Sequence, residues 1–210
     1  MFRIDNWDTA LYKLRSTLAE KPEIRERAIK LPKLYSNMRG LMVVDVVASR
    51  QRRYENYVVA KLLPQYTNQA KDLSLLTMAN NVPSWLPLKE REAQTMSEVA
   101  TKILDFGRAH KISDENEMSY EWAHDVDAVV DMREVFGIGP ALLEYLRMLC
   151  GADSLKVDVR VIDGLGELGL PIHLLTADGI LALAIQLSRE IPCTLIELDQ
   201  SLWHVLGNKS

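Results

Sequence analysis

Val135-Phe136-Gly137-Ile138-Gly139-Pro140-Ala141-Leu142-Leu143-Glu144-Tyr145-Leu146 places two glycines just before a proline that opens an apolar run. Proline suits the first position of a helix, where its missing N–H costs nothing, and the glycines let the chain turn sharply ahead of it. The segment therefore predicts a helix from 140 to about 150, closed by Gly151 and reached from a preceding helix through a tight turn. Such a turn has two uses. It can simply pack one helix against another. Alternatively, its amides and those of the new helix can approach an anion closely, because glycine leaves room. Residues 137–140 alone permit either.

Outward from this turn the dominant period is helical. Met96, Val99, Ala100, Ile103 and Leu104 recur at i, i+3, i+4 and predict an amphipathic helix over 93–107. Thr194 to Glu197 reads as a capping box ahead of a stripe of Leu195, Leu198, Leu202, Val205 and Leu206, predicting a helix over 195–206 that Gly207 closes. Thr176 precedes Ile180, Leu183, Ala184 and Leu187, and Asp72 precedes Leu73, Leu75, Leu76 and Met78, so each marks a helix start. Trp7, Leu11, Leu14 and Leu18 predict an N-terminal helix docked on the C-terminal ones. The expectation is an all-α protein of about nine to eleven helices of ordinary length. One stretch reads differently, since Val157, Val159 and Val161 alternate with Lys156, Asp158 and Arg160 as in a half-buried strand. No second run of comparable strength exists to pair with it, so the stretch is assigned to a helix start, with Asp158 at or beside its N-cap.

Composition narrows the functions. The 210 residues are 48% hydrophobic and 26% charged throughout, which excludes a disordered or collagenous chain. The longest nearly apolar run, residues 40–48, is interrupted by Asp45 and too short for a bilayer, and the first residues lack an apolar signal segment. No membrane association and a cytoplasmic location are expected. Cys150 and Cys193 have neither CxxC spacing nor a histidine cluster nearby, so no zinc or Fe–S site is expected from them. Nor do His110, His124, His173 and His204 show ligand spacing. A net charge of −4 disfavours a partner held by bulk attraction to phosphates; a nucleic acid would need a local basic patch. Trp85, Trp122, Tyr54 and Tyr57 could stack on a base or fill a core. No motif specifies an oligomeric state.

After the helix that ends at Gly151 come Leu155-Lys156-Val157-Asp158-Val159-Arg160-Val161 and then Asp163-Gly164-Leu165. With Gly137-Ile138-Gly139-Pro140 about twenty residues earlier, this order resembles the helix-hairpin-helix DNA glycosylase superfamily, endonuclease III among its members. Residues 40–66, with Ala48-Ser49-Arg50-Gln51 between two helical stretches, resemble that family's Leu-rich helix, Ser-x-Gln loop and following helix. Residues 198–207 resemble its closing helix. The resemblance implies two helical lobes, one from 40 to 152 ending in the hairpin and one made from 1–39 with 153–210. It implies double-stranded DNA as partner and Asp158 as the catalytic carboxylate. Cleaving an N-glycosidic bond builds oxocarbenium character on the sugar, which a fixed carboxylate stabilises while orienting water. Helix capping is the other reading of Asp158. By the same resemblance, Gly137, Gly139 and Leu142 offer backbone N–H groups to a phosphate. The carbonyls of Arg133, Val135 and Ile138 hold a monovalent cation (K or Na), and no other cofactor is implied. Gln51 is the duplex wedge, with Arg50, Arg52 and Arg53 near the backbone; the same run also reads as a solvated turn.

The departures matter as well. Bifunctional members carry a Schiff-base lysine after the hairpin, where this chain has Ala141-Leu142-Leu143, so no lyase activity of that type is expected. The four cysteines that follow the closing helix of endonuclease III have no counterpart, so no Fe–S cluster is expected. Asp114, Glu115, Glu117, Glu121, Asp125, Asp127, Asp131 and Glu134 all precede the hairpin and would oppose DNA if they faced the same surface. The expected function is a monofunctional DNA N-glycosylase of base-excision-repair type. The alternatives are a non-catalytic helix-hairpin-helix module that binds DNA or protein, and an enzyme acting on a nucleoside or other small glycoside.

Overall fold

The computed structural model describes residues 6–50 and 53–203. In chain order these form α1 (Trp7–Glu20), α2 (Glu23–Lys30), α3 (Arg39–Ala48), a π-helical stretch (Tyr54–Leu62), α4 (Leu63–Gln69), α5 (Leu75–Asn80) and α6 (Glu90–His110). There follow α7 (Glu115–His124), α8 (Val126–Met132), α9 (Pro140–Cys150), α10 (Val159–Glu167), α11 (Ala177–Glu190) and α12 (Leu195–Ser201). No strand occurs among the described residues, as the helical periodicity predicts. No single helix among them is long and apolar enough to cross a membrane. The chain divides into two compact units, Met1–Leu31 with Asp153–Ser210, and Pro32–Ala152.

In the first unit, Leu11, Leu14 and Leu18 are buried in one core with Val161, Leu165, Leu183, Leu187, Leu198 and Leu202. Pro22 ends the first helical stretch, so the N-terminal segment is two helices rather than one, and both pack on α12. The capping box forms as its spacing predicts. Thr194 Oγ1 accepts the Glu197 amide at 3.1 Å and Glu197 accepts the Thr194 amide at 2.8 Å. Thr176 caps α11 through the Gly179 amide. Leu202 and Trp203 continue past α12 in a π turn, and residues 204–207 of the expected helix lie outside the described residues. The valine alternation also has its explanation. Leu155 and Val157 point inward from an extended lead-in, after which α10 begins and Val159 is left 68% exposed.

The second unit is built around α3, whose ten residues are all buried and on which α5, α6, α7 and α9 pack. A helix apolar all round belongs inside a protein. Its two polar residues are therefore held by hydrogen bonds. Arg39 donates to the Leu149 carbonyl (3.0 Å) and the Asn116 side chain (3.1 Å). Asp45, fully buried, accepts at one oxygen from the hydroxyls of Tyr35 (2.7 Å), Tyr145 (2.8 Å) and Tyr54 (3.2 Å). Burial first, and then the charge of Asp45, push the Tyr35 and Tyr54 phenols well above their ordinary range. The Tyr35 bond ties residues 32–39 into this unit rather than to the N-terminal helices. α5 starts at Ser74, whose hydroxyl accepts the Thr77 amide. Asp72, the expected cap, instead braces this start by accepting from the Ser74 amide and the Ser74 and Thr77 hydroxyls. α6 begins three residues before the expected point because Glu92 accepts the Lys89 amide at 2.8 Å and caps an extra turn.

α3 meets the approach to α5 at Gly40, whose amide donates to the Leu73 carbonyl at 2.6 Å. A Cβ there would lie 2.5 Å from the Ser74 carbonyl oxygen and 2.8 Å from that of Leu73, both rigid backbone. Gly40→Ala is therefore expected to destabilise the fold by about 1–3 kcal/mol, as overpacking does in well-filled cores; urea unfolding followed by circular dichroism measures it.

Candidate functional site

Seven residues, Arg133 to Gly139, join α8 to α9. Val135 and Ile138 are buried and anchor the turn, and the Val135 carbonyl accepts the Ile138 amide at 3.1 Å. Gly137 has φ +89°, a conformation that costs L side chains 1–2 kcal/mol but glycine nothing. Gly139 faces open space, with no atom within 4 Å of where a Cβ would sit. The amides of Gly137, Gly139 and Leu142 have no acceptor among the described residues. The turn is held from the side by Thr95 on α6, whose hydroxyl lies 2.8 Å from both the Phe136 and the Arg91 carbonyl oxygens. Its single proton serves one of them at a time.

Of the basic run, Arg50 comes to this turn. Its guanidinium lies where a Gly137 Cβ would touch it, at 2.5 Å, and 5.8 Å from the centre of the Phe136 ring. Arg91, at the start of α6, is 5.2 Å from the same ring. Arg53 is exposed at the entrance to the π-helical stretch, and Gln51 and Arg52 lie outside the described residues. Arg91, Thr95 and Phe136 were not singled out by the sequence motifs. Arg91 reads in isolation as one more charge in the first turn of a helix, and only the fold carries it to residue 136.

Half of the eight acids from 114 to 134 are committed elsewhere. Asp114 caps α7 through the Asn116 and Glu117 amides, and Asp125 caps α8 through that of Ala128. Glu115 accepts the first amides of α5, from Leu75 and Leu76. Asp131 pairs with Lys102. Glu117, Glu121 and Asp125 share an open groove of about 360 Å³ with His110 and His124. Both imidazoles bond through Nδ1 to a main-chain carbonyl four residues back. No group of three or more metal-ligating side chains gathers among the described residues. Trp122 is a core residue, Trp85 packs against Tyr66, and the Tyr54 hydroxyl is tied to Asp45 and Tyr145.

Asp158, in the other unit, is the N-cap of α10. Its Oδ1 accepts the amides of Arg160 (3.0 Å) and Val161 (3.2 Å), and its Oδ2 is 3.5 Å from Lys156 Nζ. The carboxylate is 21% exposed. A second carboxyl supports it, because the buried Asp199 accepts the Lys156 amide at 2.9 Å and the Gln200 side chain at 3.2 Å. Burial pushes the Asp199 carboxyl up to about 7; the Lys156 amide pulls against that and the charge of Asp158 adds to it. The sequence reading passed over Lys156 and gave Asp199 no role of its own. A lysine two residues from the candidate carboxylate was the available signal.

Comparison with protein-family models, with curated proteins and with solved structures finds no match to this chain.

Two measurements follow from the Asp158 cluster. Asp158→Ala removes the α10 cap and is expected to cost about 1 kcal/mol, whereas Asp158→Asn keeps a cap of equal quality and changes stability by only a few tenths; chemical denaturation of both variants distinguishes the two. The Asp199 carboxyl binds its proton more tightly folded than unfolded. Its contribution to stability is therefore full below about pH 4 and is lost as pH rises through about 7. Relative to Asp199→Asn, the wild type should lose stability between about pH 4 and 7 and change no further above that, as read from urea midpoints across the range.

Proposed function

We propose that the chain is a monofunctional DNA N-glycosylase that holds duplex DNA at the 133–139 turn and hydrolyses the glycosidic bond of a damaged or mismatched base. The observation that carries this reading is the turn itself. Two glycine amides without a described acceptor lie in a turn whose Gly139 has open space at its Cα and whose Gly137 abuts an arginine, in a chain whose net charge would otherwise repel a polyanion. One phosphate would take the amides of Gly137, Gly139 and Leu142, with Arg50 beside it and Arg52 and Arg53 along the strand. A monovalent cation on the carbonyls of Arg133, Val135 and Ile138 would offset part of the phosphate charge there; the Val135 oxygen, which accepts one amide, keeps a lone pair for it. Gln51 would fill the gap that the extruded nucleotide leaves.

In the chemical step the C1′–N bond breaks, the base departs with the electron pair and takes up a proton, and water adds to C1′. Asp158 would stabilise the positive sugar and orient that water. A second reading, a non-catalytic module that binds DNA or protein, is favoured by one specific observation. Both oxygens of Asp158 already have partners, two helix amides on one and Lys156 on the other.

The two readings separate in a strand-cleavage assay with hot alkali, on duplexes carrying deaminated, alkylated, oxidised and mismatched bases. The glycosylase yields cleaved product that falls about a hundredfold or more in Asp158→Asn, a variant whose cap is intact. Product that persists undiminished in that variant removes Asp158 from the chemistry. No product from any duplex, together with salt-sensitive DNA binding, establishes the non-catalytic module.

A further inference from the structure

Phe136 stands at the outer tip of the turn, 54% exposed between the buried Val135 and Ile138. Two guanidinium groups, on separate elements, lie within 6 Å of its ring centre, Arg50 at 5.8 Å and Arg91 at 5.2 Å. Neither has a carboxylate within ion-pair distance among the described residues, while Arg25, Arg108 and Arg147 each do. Two like charges lie over one aromatic ring with no carboxylate in ion-pair distance among the described residues, on a protein of net charge −4. Such an arrangement is electrostatically unbalanced until an anion arrives. A flat apolar ring directly beside the cations further selects an anion that carries a flat apolar group of its own.

We infer that Phe136, Arg50 and Arg91 form a binding site for one unpaired nucleotide of a DNA strand, its phosphate between the two guanidinium groups and its base stacked on the exposed part of the Phe136 ring. This rests on the DNA-binding reading above and goes beyond it by assigning a stacking residue and a second phosphate-binding arginine. The site prefers unpaired nucleotides because a base within a duplex keeps its faces against its neighbours, whereas a bulged or single-stranded base offers one. Thr95 positions the ring by holding the Phe136 carbonyl.

Fluorescence anisotropy of the full chain tests this with three labelled DNAs, a perfect duplex, the same duplex with one bulged nucleotide, and the single strand, each titrated at several salt concentrations. The wild type is expected to bind the bulged duplex and the single strand more tightly than the perfect duplex. Phe136→Ala should abolish that preference, weakening binding to unpaired DNA about tenfold or more with the salt slope unchanged. Phe136→Leu, which keeps apolar area without the ring, should fall with it. Arg91→Ala should weaken all three DNAs and reduce the salt slope by about one. A wild type that binds all three with a salt slope, but in which Phe136→Ala or Phe136→Leu retains full affinity for the bulge, overturns the stacking site and leaves the DNA reading intact. A wild type with no salt-dependent binding to any of them overturns both.

Discussion

The second unit depends on a buried carboxylate. Asp45 lies in the middle of a helix with no solvent-facing side, where an unpaired charge would cost several kcal/mol. Three phenol hydroxyls solvate it instead, from Tyr35 ahead of α3, Tyr54 at the start of the π-helical stretch and Tyr145 on α9. The Tyr54 and Tyr145 oxygens also lie 2.9 Å apart, so the hydroxyls form a connected set rather than three separate contacts. Two of these anchors matter for the surface. Tyr54 fixes the chain just after the loop that carries Arg50 and Arg53. Tyr145 fixes the helix whose first turn follows Gly139. One carboxylate thus sets both segments that meet at the candidate site, without itself reaching the surface.

Charge is distributed differently in the fold than along the chain. Counted along the chain, the segment from 114 to 134 is acidic enough to repel DNA from the turn it leads into. In the fold, four of its eight carboxylates accept helix amides or pair with Lys102, so that each is directed to the start of its own helix, across to α5 or across to α6. Negative charge used as a cap lies against the positive end of a helix, where its outward field is reduced. The cations that face the turn come from elsewhere, one from before the π-helical stretch and one from the start of α6. Net charge is a poor guide to local potential when acids are spent on capping and arginines are left uncommitted.

The division between what the residues announce and what only the fold discloses follows the range of the interactions. Helices α6, α11 and α12 are readable because periodicity, capping boxes and closing residues act within four positions of one another. Asp158 as an N-cap is readable for the same reason. The valine alternation misleads only mildly, since half of it is an extended lead-in whose alternation is genuine. By contrast, the tyrosines of Asp45 come from 10, 9 and 100 positions away, and nothing near any of them marks it as a partner. The cluster at Phe136 draws on residues 50, 91, 95 and 136, of which the sequence singles out Arg50 alone. An aspartate inside the longest apolar run was a sign that something polar must meet it, though not of what.

Asp158 combines the two kinds of constraint. Its Oδ1 is committed by local geometry to two amides of α10, which fixes the orientation of the carboxyl group. Its Oδ2 faces Lys156, whose backbone amide is in turn held by Asp199 from α12. The cap orients one oxygen and the ion pair with Lys156 holds the other, so the carboxylate is fixed at both ends. Asp199 then sets the charge of the cluster. Burial holds the Asp199 carboxyl up at about 7, so the residue that grips the Lys156 amide changes charge near neutral pH. The buried carboxyl of Asp199 thus ties the start of α10 to a proton equilibrium on α12, through the backbone of Lys156.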